Sequence, residues 1–550
     1  MSSQETAEQG GLPPGSVEHG SSNQQELQEE AGQAGAVLTA DVQWVAGQNP
    51  DGTEADDTNE RKKKMMLIRV LLLLLVLLVI LVIAIPLAVS GGGQKDDPAL
   101  EATTIDNSTQ GETSDPVPTQ VPTQPPTMES DLDFEVLLPN ADNSTFELIS
   151  SDPSSPQFKA FEWLTSDPHL RRYETWRREQ RFALATCFHA FGAPRFWTWL
   201  NYEIEECEWG ENVNKIHIHC DDAGRVRRIV VGRAVDRDIV VFRGSIPPEL
   251  SLIRHLEALE LSHNHQKELI LSWLPPSLSE SFPNLTKIAC NDCQLQGTLP
   301  PELFNWTNVQ SLLLGSNWIT GTIPPEIQRM TQLQELWLYR QRELKGTIPV
   351  ELTQLQQLQV LLLARNVLVG NVPSEFGLFT LLTHLSLETN RISGSLPTEL
   401  GSLSGLQRLY LHNNKFSGTV PVELTQLSEL QDLALAMNML SGAVPSEFGL
   451  MTALSRLTLS DNRRMSGSLP TELGLMTALG ALNISFTSIS GDIPSELGLL
   501  TSLTLLALHD SNLSGMVPSS LCSNPDLLQI RVDCDSVDCT CSQCNCTATQ

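Results

Sequence analysis

The chain is poor in basic residues, and its first 60 residues contain none. Its 550 residues include 35 Lys and Arg against 65 Asp and Glu, which gives a formal net charge of −30. Such an acidic chain repels phosphate backbones, so we expect no nucleic-acid partner. Residues 1–60 combine twelve acidic side chains with few aromatic ones. This composition cannot bury enough apolar surface to fold, and it predicts a disordered segment.

Signatures of common catalytic sites are absent as well. The sequence has no kinase glycine loop followed by HRD and DFG, no nucleophile elbow and no HExxH. Each of those motifs places a nucleophile, a base or a metal ligand at a defined position. We therefore predict a protein that is not an enzyme, with no catalytic residues, no cofactor and no metal.

Charged residues are missing from Val70–Val89, a run of twenty residues dominated by branched aliphatic side chains. As a helix this run would span about 30 Å, the thickness of a bilayer core. Five basic residues lie within 61–69, whereas Lys95 is followed by Asp96 and Asp97. The positive-inside rule then predicts a single-pass type II signal-anchor with a cytoplasmic N-terminus. The alternative is a cleaved signal peptide ending near Ser90, which the long acidic segment before the run disfavours.

The distribution of cysteines and glycosylation sequons agrees with an exported C-terminal part. All eleven cysteines follow the apolar run, as expected in an oxidising compartment. The odd count leaves at least one free thiol. All seven Asn-x-Ser/Thr sequons also follow it: Asn107, Asn143, Asn284, Asn305, Asn483, Asn512 and Asn545. We expect a plasma-membrane or endomembrane protein with a tail at 1–69 and a Pro/Thr-rich stalk at 90–155.

From residue 244 onward, a glycine stands three residues before a proline eleven times. Apart from the first gap, the glycines are always 24 or 25 residues apart. Such a period is typical of one supersecondary unit stacked many times. The glycines are Gly244, Gly297, Gly321, Gly346, Gly370, Gly394, Gly418, Gly442, Gly467, Gly491 and Gly515.

A second pattern, LxxLxLxxN, precedes each glycine, and its clearest copy is Leu406–Asn414. Alternation within LxL predicts a short strand whose leucines point inward, and stacked copies would share one apolar core. The asparagine can donate to and accept from the backbone of a buried turn. Four copies have Cys293, Gln341, Thr487 or Ser511 in its place. The pattern predicts eleven repeats, with Val226–Val231 as a degenerate twelfth.

These residues resemble the plant-type leucine-rich repeat family, whose consensus is LxGxIPxxLxxLxxLxxLxLxxN. The resemblance covers about residues 225–520 and implies an α/β repeat solenoid: a curved, right-handed array of about eleven repeats of 24 residues with its strand sheet on the concave face. Cysteine-containing caps are expected at 156–224 and 521–550. The kinase of plant receptor kinases has no counterpart in this sequence, so the resemblance implies a receptor-like protein without one.

Cysteines mark both caps. The stretches SPQFKAFEWLTSDP, QRFALATCF and ECEW resemble the N-terminal cap of membrane-anchored plant-type repeat proteins, and this resemblance implies a Cys207–Cys220 disulfide. Near the C-terminus, disulfides are favoured over a zinc or copper(I) site because the compartment is oxidising, although the pairing stays open. We expect Cys290 and Cys293 to pack in the core. The six C-terminal candidates are Cys522, Cys534, Cys539, Cys541, Cys544 and Cys546.

The family binds proteins, peptides or glycans on its concave sheet, and the repeat frame identifies the strand positions that point outward. We predict that an exposed aromatic and aliphatic row edged by arginines binds the ligand, with Trp337 and Tyr410 as anchors. The alternative is that these side chains only pair laterally along the sheet. The predicted residues are Leu313, Trp337, Tyr339, Arg340, Leu362, Arg365, His384, Arg408, Tyr410 and His412.

Two functional classes follow. The first is a non-catalytic cell-surface protein, receptor-like or adhesive, that binds a protein, peptide or glycan and signals through a co-receptor. The second is a structural or inhibitory surface protein shed by cleavage in the stalk, such as an inhibitor of extracellular hydrolases. Deleting residues 1–60 separates the two classes, because only a receptor needs its tail.

Overall fold

In a computed structural model, the structure describes residues 134–190, 200–209, 216–231, 246–262 and 282–547. All the described residues lie in one of the two units into which the chain divides, the second unit, Thr127–Gln550. The predicted tail, the apolar run at 70–89 and most of the predicted stalk lie outside the described residues. Among the helices that the structure describes, none has both the length and the apolar character of a membrane span.

A 15-stranded sheet, here called the long sheet, runs through the second unit in chain order. Its first two strands are antiparallel, and every later neighbour is parallel. Eleven of its strands are the predicted repeat strands, and the strand Val226–Val231 is the predicted twelfth. The strands are β1 (Ile216–Cys220), β2 (Val226–Val231), β3 (Ala258–Glu260), β4 (Lys287–Ala289), β6 (Ser311–Leu313), β8 (Glu335–Trp337), β10 (Val360–Leu362), β12 (His384–Ser386), β14 (Arg408–Tyr410), β16 (Asp432–Ala434), β18 (Arg456–Thr458), β20 (Ala481–Asn483), β22 (Leu505–Ala507), β24 (Gln529–Asp533) and β26 (Cys544–Thr547).

The repeat leucines form one continuous core along the long sheet. Leu361, Leu385, Leu409 and Leu433 are in register on neighbouring strands, and all are buried. Because each repeat covers the apolar side of the next, the interior is shared by the whole array. The predicted parallel-strand repeat fold is therefore confirmed.

Asparagine side chains tie each turn to the repeat before it. Asn414 donates from Nδ2 to the carbonyl oxygens of Leu387 and Leu411, at 2.9 and 3.2 Å. Its Oδ1 accepts from the Ile392 N–H at 3.0 Å. Asn438 repeats this geometry. The asparagine therefore performs the predicted role of satisfying buried backbone groups.

The residues that replace the turn asparagine differ in whether their side chains reach the preceding repeat. Gln341 still donates to the Leu314 carbonyl of the preceding repeat and accepts from the Ile319 N–H. The Thr487 hydroxyl, in contrast, donates to the Ile484 carbonyl of its own repeat. A hydroxyl is shorter than an amide, which explains why the connection to the preceding repeat weakens at such positions.

After each turn the chain enters a second short strand on the side of the array. These strands form a four-stranded and a seven-stranded sheet, and backbone bonds from Arg391 to Leu368 and from Ser393 to Gly370 join the two. We call them together the side sheet. Its strands are β5 (Gln296–Thr298), β7 (Trp318–Gly321), β9 (Glu343–Thr347), β11 (Val367–Val369), β13 (Ser393–Ser395), β15 (Lys415–Thr419), β17 (Met439–Gly442), β19 (Arg464–Gly467), β21 (Ser488–Asp492), β23 (Asn512–Met516) and β25 (Val537–Asp538).

The repeat glycine follows from this geometry. Gly394 has φ of 87°, and an added Cβ would lie 2.6 Å from Asn371 Oδ1. Both the positive φ and the close approach exclude a side chain there. Beyond the proline, every described repeat except the last forms a 3₁₀ helix that returns the chain to the long sheet. These helices are Pro248–Leu252, Pro301–Asn305, Pro325–Arg329, Val350–Gln354, Ser374–Leu378, Thr398–Ser402, Val422–Gln426, Ser446–Leu450, Thr471–Leu475 and Ser495–Leu499.

Helices cover the N-terminal end of the core: α1 (Phe134–Leu137), α2 (Asn143–Ser151), α3 (Pro156–Thr165) and α4 (Thr175–Ala190), with short 3₁₀ turns at Leu170–Arg172 and Glu206–Glu208. Leu138 and Ile149 are buried in the same core as α4. Residues 134–155 are therefore packed, and assigning them to the stalk was wrong. The Asp142 side chain caps α2, which shows why a polar sequence still forms a helix here.

Five disulfides connect the described cysteines. Cys207 bonds to Cys220, the pair implied by the resemblance. Cys290 and Cys293 are buried in the core, as expected, and they also form a disulfide that the sequence did not predict. Cys187 is free and buried. After α5 (Ser519–Cys522), the last strands extend the long sheet, and the pairs there are Cys522–Cys541, Cys534–Cys546 and Cys539–Cys544.

Candidate ligand-binding face

The predicted ligand-binding row lies on the outward side of the long sheet, here called the long-sheet face. Leu313, Trp337 and Leu362 are lateral neighbours on β6, β8 and β10. Tyr410 lies on β14, two strands beyond Leu362. The structure therefore places the row as one line of side chains across successive strands.

The row is not exposed, which corrects the prediction of an exposed patch. Leu313 is 1% exposed, Leu362 4%, and Trp337 and Tyr410 are both 6% exposed. Parallel strands in register lie only about 4.8 Å apart, so each outward side chain is covered by its lateral neighbours. Of the flanking residues, Tyr339 and His412 are buried, and Arg340 alone is exposed.

The first cluster on the face centres on Trp337 and Tyr339, whose ring centroids are 6.2 Å apart. A Cβ added to Gly315 would lie 2.3 Å from the Tyr339 ring. The missing side chain at Gly315 therefore makes room for this ring on the neighbouring strand. Burial raises the pKa of Tyr339, so the phenol stays neutral and remains a hydrogen-bond donor.

The second cluster centres on Asp432, a buried carboxylate that the sequence analysis did not identify. Arg456 donates to it from both Nε and Nη2. The Tyr410 hydroxyl donates to Oδ2 at 3.1 Å, and Arg408 Nε lies 3.7 Å from the same oxygen. The carboxylate therefore holds two arginines and the Tyr410 ring in one arrangement. The repeat frame offered a signal, because Arg408, Asp432 and Arg456 occupy the same position in successive repeats.

A third cluster contains groups whose charged forms are disfavoured by burial. Burial raises the pKa of Glu388 to about 7, although the Ser386 hydroxyl donates to its Oε2 at 2.6 Å. Burial, together with Arg408, lowers the pKa of His384 to about 4. Burial and Arg365 lower the pKa of His412 to about 4. At neutral pH both imidazoles are therefore uncharged and can accept hydrogen bonds.

Several polar atoms on this face lack a hydrogen-bond partner within the described part of the chain. Trp337 Nε1, His412 Nδ1 and Thr458 Oγ1 are buried atoms of this kind. All three side chains are more than nine-tenths buried. Buried polar groups without a partner are uncommon in native proteins, and a bound group or an ordered water commonly supplies the missing bond.

The predicted glycosylation sequons differ in how exposed their asparagines are. Asn483 is buried on the long-sheet face, where its Oδ1 accepts from the backbone and side chain of Ser485. A glycan at Asn483 would therefore need this side chain to leave the sheet, which argues against the predicted modification there. Asn107 lies outside the described residues. The remaining sequons, Asn143, Asn284, Asn305, Asn512 and Asn545, are exposed.

At one place in the described chain, three side chains of the kinds that bind metals lie close enough to share an ion: Cys539, Cys541 and Cys544. All three are engaged in disulfides, and a disulfide sulfur is not a thiolate ligand. His217 and His219 both lie on the exposed side of β1. Their alternation with buried Ile218 is that of an ordinary strand.

Comparison with known proteins gives the class of this chain. The sequence model of the family described as Leucine Rich Repeat matches residues 308–330, 381–403 and 405–427. A search of the curated proteins finds no match. A plant peptide hormone receptor, RGFR1, in complex with RGF2 is 30% identical over 54% of this chain and 50% of that chain, with a TM-score of 0.50.

The Arabidopsis receptor kinase HAESA, in complex with the peptide hormone IDA and the co-receptor SERK1, is also similar. It is 25% identical over 65% of this chain and 69% of that chain, with a TM-score of 0.48. The chain covers about half of the first receptor structure. The family model, the stacked strands and the asparagine turns agree that this chain contains leucine-rich repeats, and this part of the resemblance drawn from the sequence is confirmed.

Proposed function

We propose that this protein is a non-catalytic, receptor-like surface protein that binds a peptide on its long-sheet face. The observation that carries the proposal is the set of buried, unpartnered polar atoms on this face: Trp337 Nε1, His412 Nδ1 and Thr458 Oγ1. A peptide backbone offers both donors and acceptors, so it can satisfy an indole N–H and an imidazole nitrogen together. The similar receptor RGFR1, which was solved with RGF2, supports a peptide over other ligands.

The three clusters suit a short extended ligand. Trp337 lies on β8 and Tyr410 on β14, three strand steps away along the long sheet. Three steps correspond to about 14 Å, the length of about four extended residues. Arg408 and Arg456, held by Asp432, supply oriented donors for an acceptor group of the ligand. The binding energy would concentrate on the two aromatic side chains.

A synthetic peptide library screened against the purified full-length chain tests this proposal. Peptides that bind are expected to lose about 30-fold or more in affinity with Trp337→Ala and with Tyr410→Ala, as hot-spot residues do. Trp318→Ala on the side sheet is the matched control and should keep the affinity. Thermal unfolding of each variant separates lost contacts from lost folding. Peptide binding that survives both substitutions would contradict the proposal.

The proposal includes a membrane anchor at residues 70–89, with the N-terminus cytoplasmic and the repeats outside. Epitope tags at both termini, combined with protease treatment of intact cells and glycosidase digestion, test this topology. We expect a protected N-terminal tag and an exposed, glycosylated C-terminal tag on one full-length chain, because the positive flank stays inside. Release of the C-terminal tag into the medium would instead favour the shed, inhibitory surface protein.

A further inference from the structure

The charges of the array are divided between its sides. Each 3₁₀ helix from Pro301–Asn305 to Ser495–Leu499 has a glutamate in its first turn, which builds an acidic column of nine carboxylates. The side sheet has the opposite character. In each repeat, a short segment runs from the turn residue with positive φ to the repeat glycine. In six successive repeats, from segment 340–346 to segment 461–467, these segments together contain eight basic residues and two acidic ones, although the chain has a net charge of −30.

We call these eight cations the basic band. They are Arg340, Arg342, Lys345, Arg365, Arg391, Lys415, Arg463 and Arg464. All are exposed except Arg365, which is half-buried. Arg391 and Lys415 form no salt bridge among the residues that the structure describes, unlike Arg408 and Arg456 on the long sheet. Their charges are therefore available to a partner.

The strand pattern aligns the band on one surface. In β15 the residues alternate, with Lys415, Ser417 and Thr419 outward and Phe416 buried. Lys415 pairs with Ser393 on β13, so hydroxyls stand between the cations. From β9 to β19 the band crosses six strands, a length of about 24 Å at the usual strand spacing. Such a surface fits a linear ligand with repeated negative charge.

An exposed aromatic ring lies at one end of the band. Trp318 is 38% exposed, and the Arg342 guanidinium carbon lies 5.0 Å from its ring centroid. An indole face beside a cation offers an apolar platform next to a positive charge. The apolar face of a sugar ring packs on such a platform while a carboxylate or sulfate of the same sugar reaches the arginine.

From these observations we propose that the side sheet binds a linear acidic polysaccharide along the basic band. A peptide fits this surface less well, because β13, β15 and β17 are already paired to one another and leave no free strand edge for strand addition. Serine and threonine hydroxyls between the cations match the hydroxyls of sugars. The acidic column on the 3₁₀ helices repels the same ligand and confines it to the side sheet. The site shares only Arg340 and Arg365 with the long-sheet face, because these two residues lie in the turns that join the two sheets.

Titration of the purified full-length chain with heparin, polygalacturonate, neutral dextran and poly-L-glutamate tests the proposal. Heparin supplies sulfates and polygalacturonate supplies carboxylates, so the two distinguish the sources of charge. We expect binding to at least one of them, weaker at high than at low salt because exposed charges are screened. Dextran should not bind. Failure of both acidic polysaccharides would overturn the proposal.

Matched charge reversals locate the site. The double variant Arg391→Glu with Lys415→Glu should bind about tenfold more weakly, since two attractions become repulsions. The control Arg171→Glu with Arg172→Glu changes the net charge equally at exposed positions of the N-terminal cap and should bind normally. If the control variant weakened polysaccharide binding equally, the attraction would be non-specific, and the assignment of the site to the basic band would be wrong.

Trp318→Ala distinguishes a sugar from a peptide. It should weaken polysaccharide binding and leave the unfolding midpoint unchanged, because the ring is exposed. Poly-L-glutamate that binds as tightly as the polysaccharides, with no effect of Trp318→Ala, would assign the band to acidic peptides instead. None of these variants alters the long-sheet face, so their outcomes are independent of the peptide proposal.

Discussion

Asn414→Ala is expected to lower the free energy of unfolding by about 3 kcal/mol. The change removes the acceptor of the Ile392 N–H and the donor to the Leu387 carbonyl, both inside the core. A buried N–H without a partner retains the cost of its lost hydration, and the smaller side chain leaves a cavity besides. Urea unfolding of the full-length chain, followed by circular dichroism, measures the loss.

The control for this variant is Asn371→Ala, which lies just after β11 of the side sheet. Asn371 is exposed, so the same atoms are removed without stranding a buried group. Its effect should stay within about 0.5 kcal/mol. Asn438→Ala, which removes the acceptor of the Phe416 N–H, should reproduce the loss at Asn414. Equal effects at Asn371 and Asn414 would contradict the role given to the asparagine turns.

Glu388→Gln is expected to stabilise the protein at high pH and to change little at low pH. Burial raises the pKa of Glu388 to about 7 from its ordinary value of 4.5. Below pH 4.5 the carboxyl is protonated in both the folded and the unfolded chain, so it has no effect. Between 4.5 and 7 the unfolded chain loses this proton first, and stability falls as pH rises. Above 7 the cost stays constant.

The size of this effect follows from the shift. The rise of the Glu388 pKa from 4.5 to about 7 corresponds to up to about 3 kcal/mol, which the neutral glutamine regains at pH 8. The low pKa values of His384 and His412 cost stability as pH falls from 6.5 towards 4. The wild-type chain and the Glu388→Gln variant share this histidine contribution, so the difference between their free energies of unfolding isolates Glu388. Unfolding in urea at pH 4.5, 6 and 8 measures it.

Glu399→Gln is the control, because its carboxylate is exposed on a 3₁₀ helix. Its effect should be small and equal at the three pH values. A Glu388→Gln difference that is also independent of pH would show that Glu388 stays ionised in the folded chain. In that case Glu388, beside Arg365, would present a full negative charge on the long-sheet face at every pH above 4.5.

The repeat architecture could be predicted because its signals are local. Leu406, Leu409, Leu411 and Asn414 lie within nine residues, and each repeats with a fixed period. Inward leucines, the asparagine turn and the positive φ of Gly394 all follow from such short-range patterns. The start of the N-terminal cap could not be placed, since Asp142 and Thr145 belong to a polar stretch whose helix depends on a side-chain cap.

The candidate site was predictable in position but not in exposure. The frame correctly placed Trp337 and Tyr410 on the outward side of the long sheet. Their burial depends on residues 24 or 25 positions away, which cover them from neighbouring strands. The roles of Asp432 and Glu388 could not be predicted from the sequence for the same reason. Each draws its role from a partner in another repeat or from burial by the whole sheet.

The sequence by itself therefore determined the class of fold, the number of repeat strands and the direction of each side chain, because these depend on period and on local backbone chemistry. Only the tertiary structure decided which outward side chains stay accessible, which cysteines pair with Cys290 and Cys522, and how Asp432 organises Arg456 and Tyr410. These features depend on distances between side chains in different repeats, and the period of the sequence does not contain those distances.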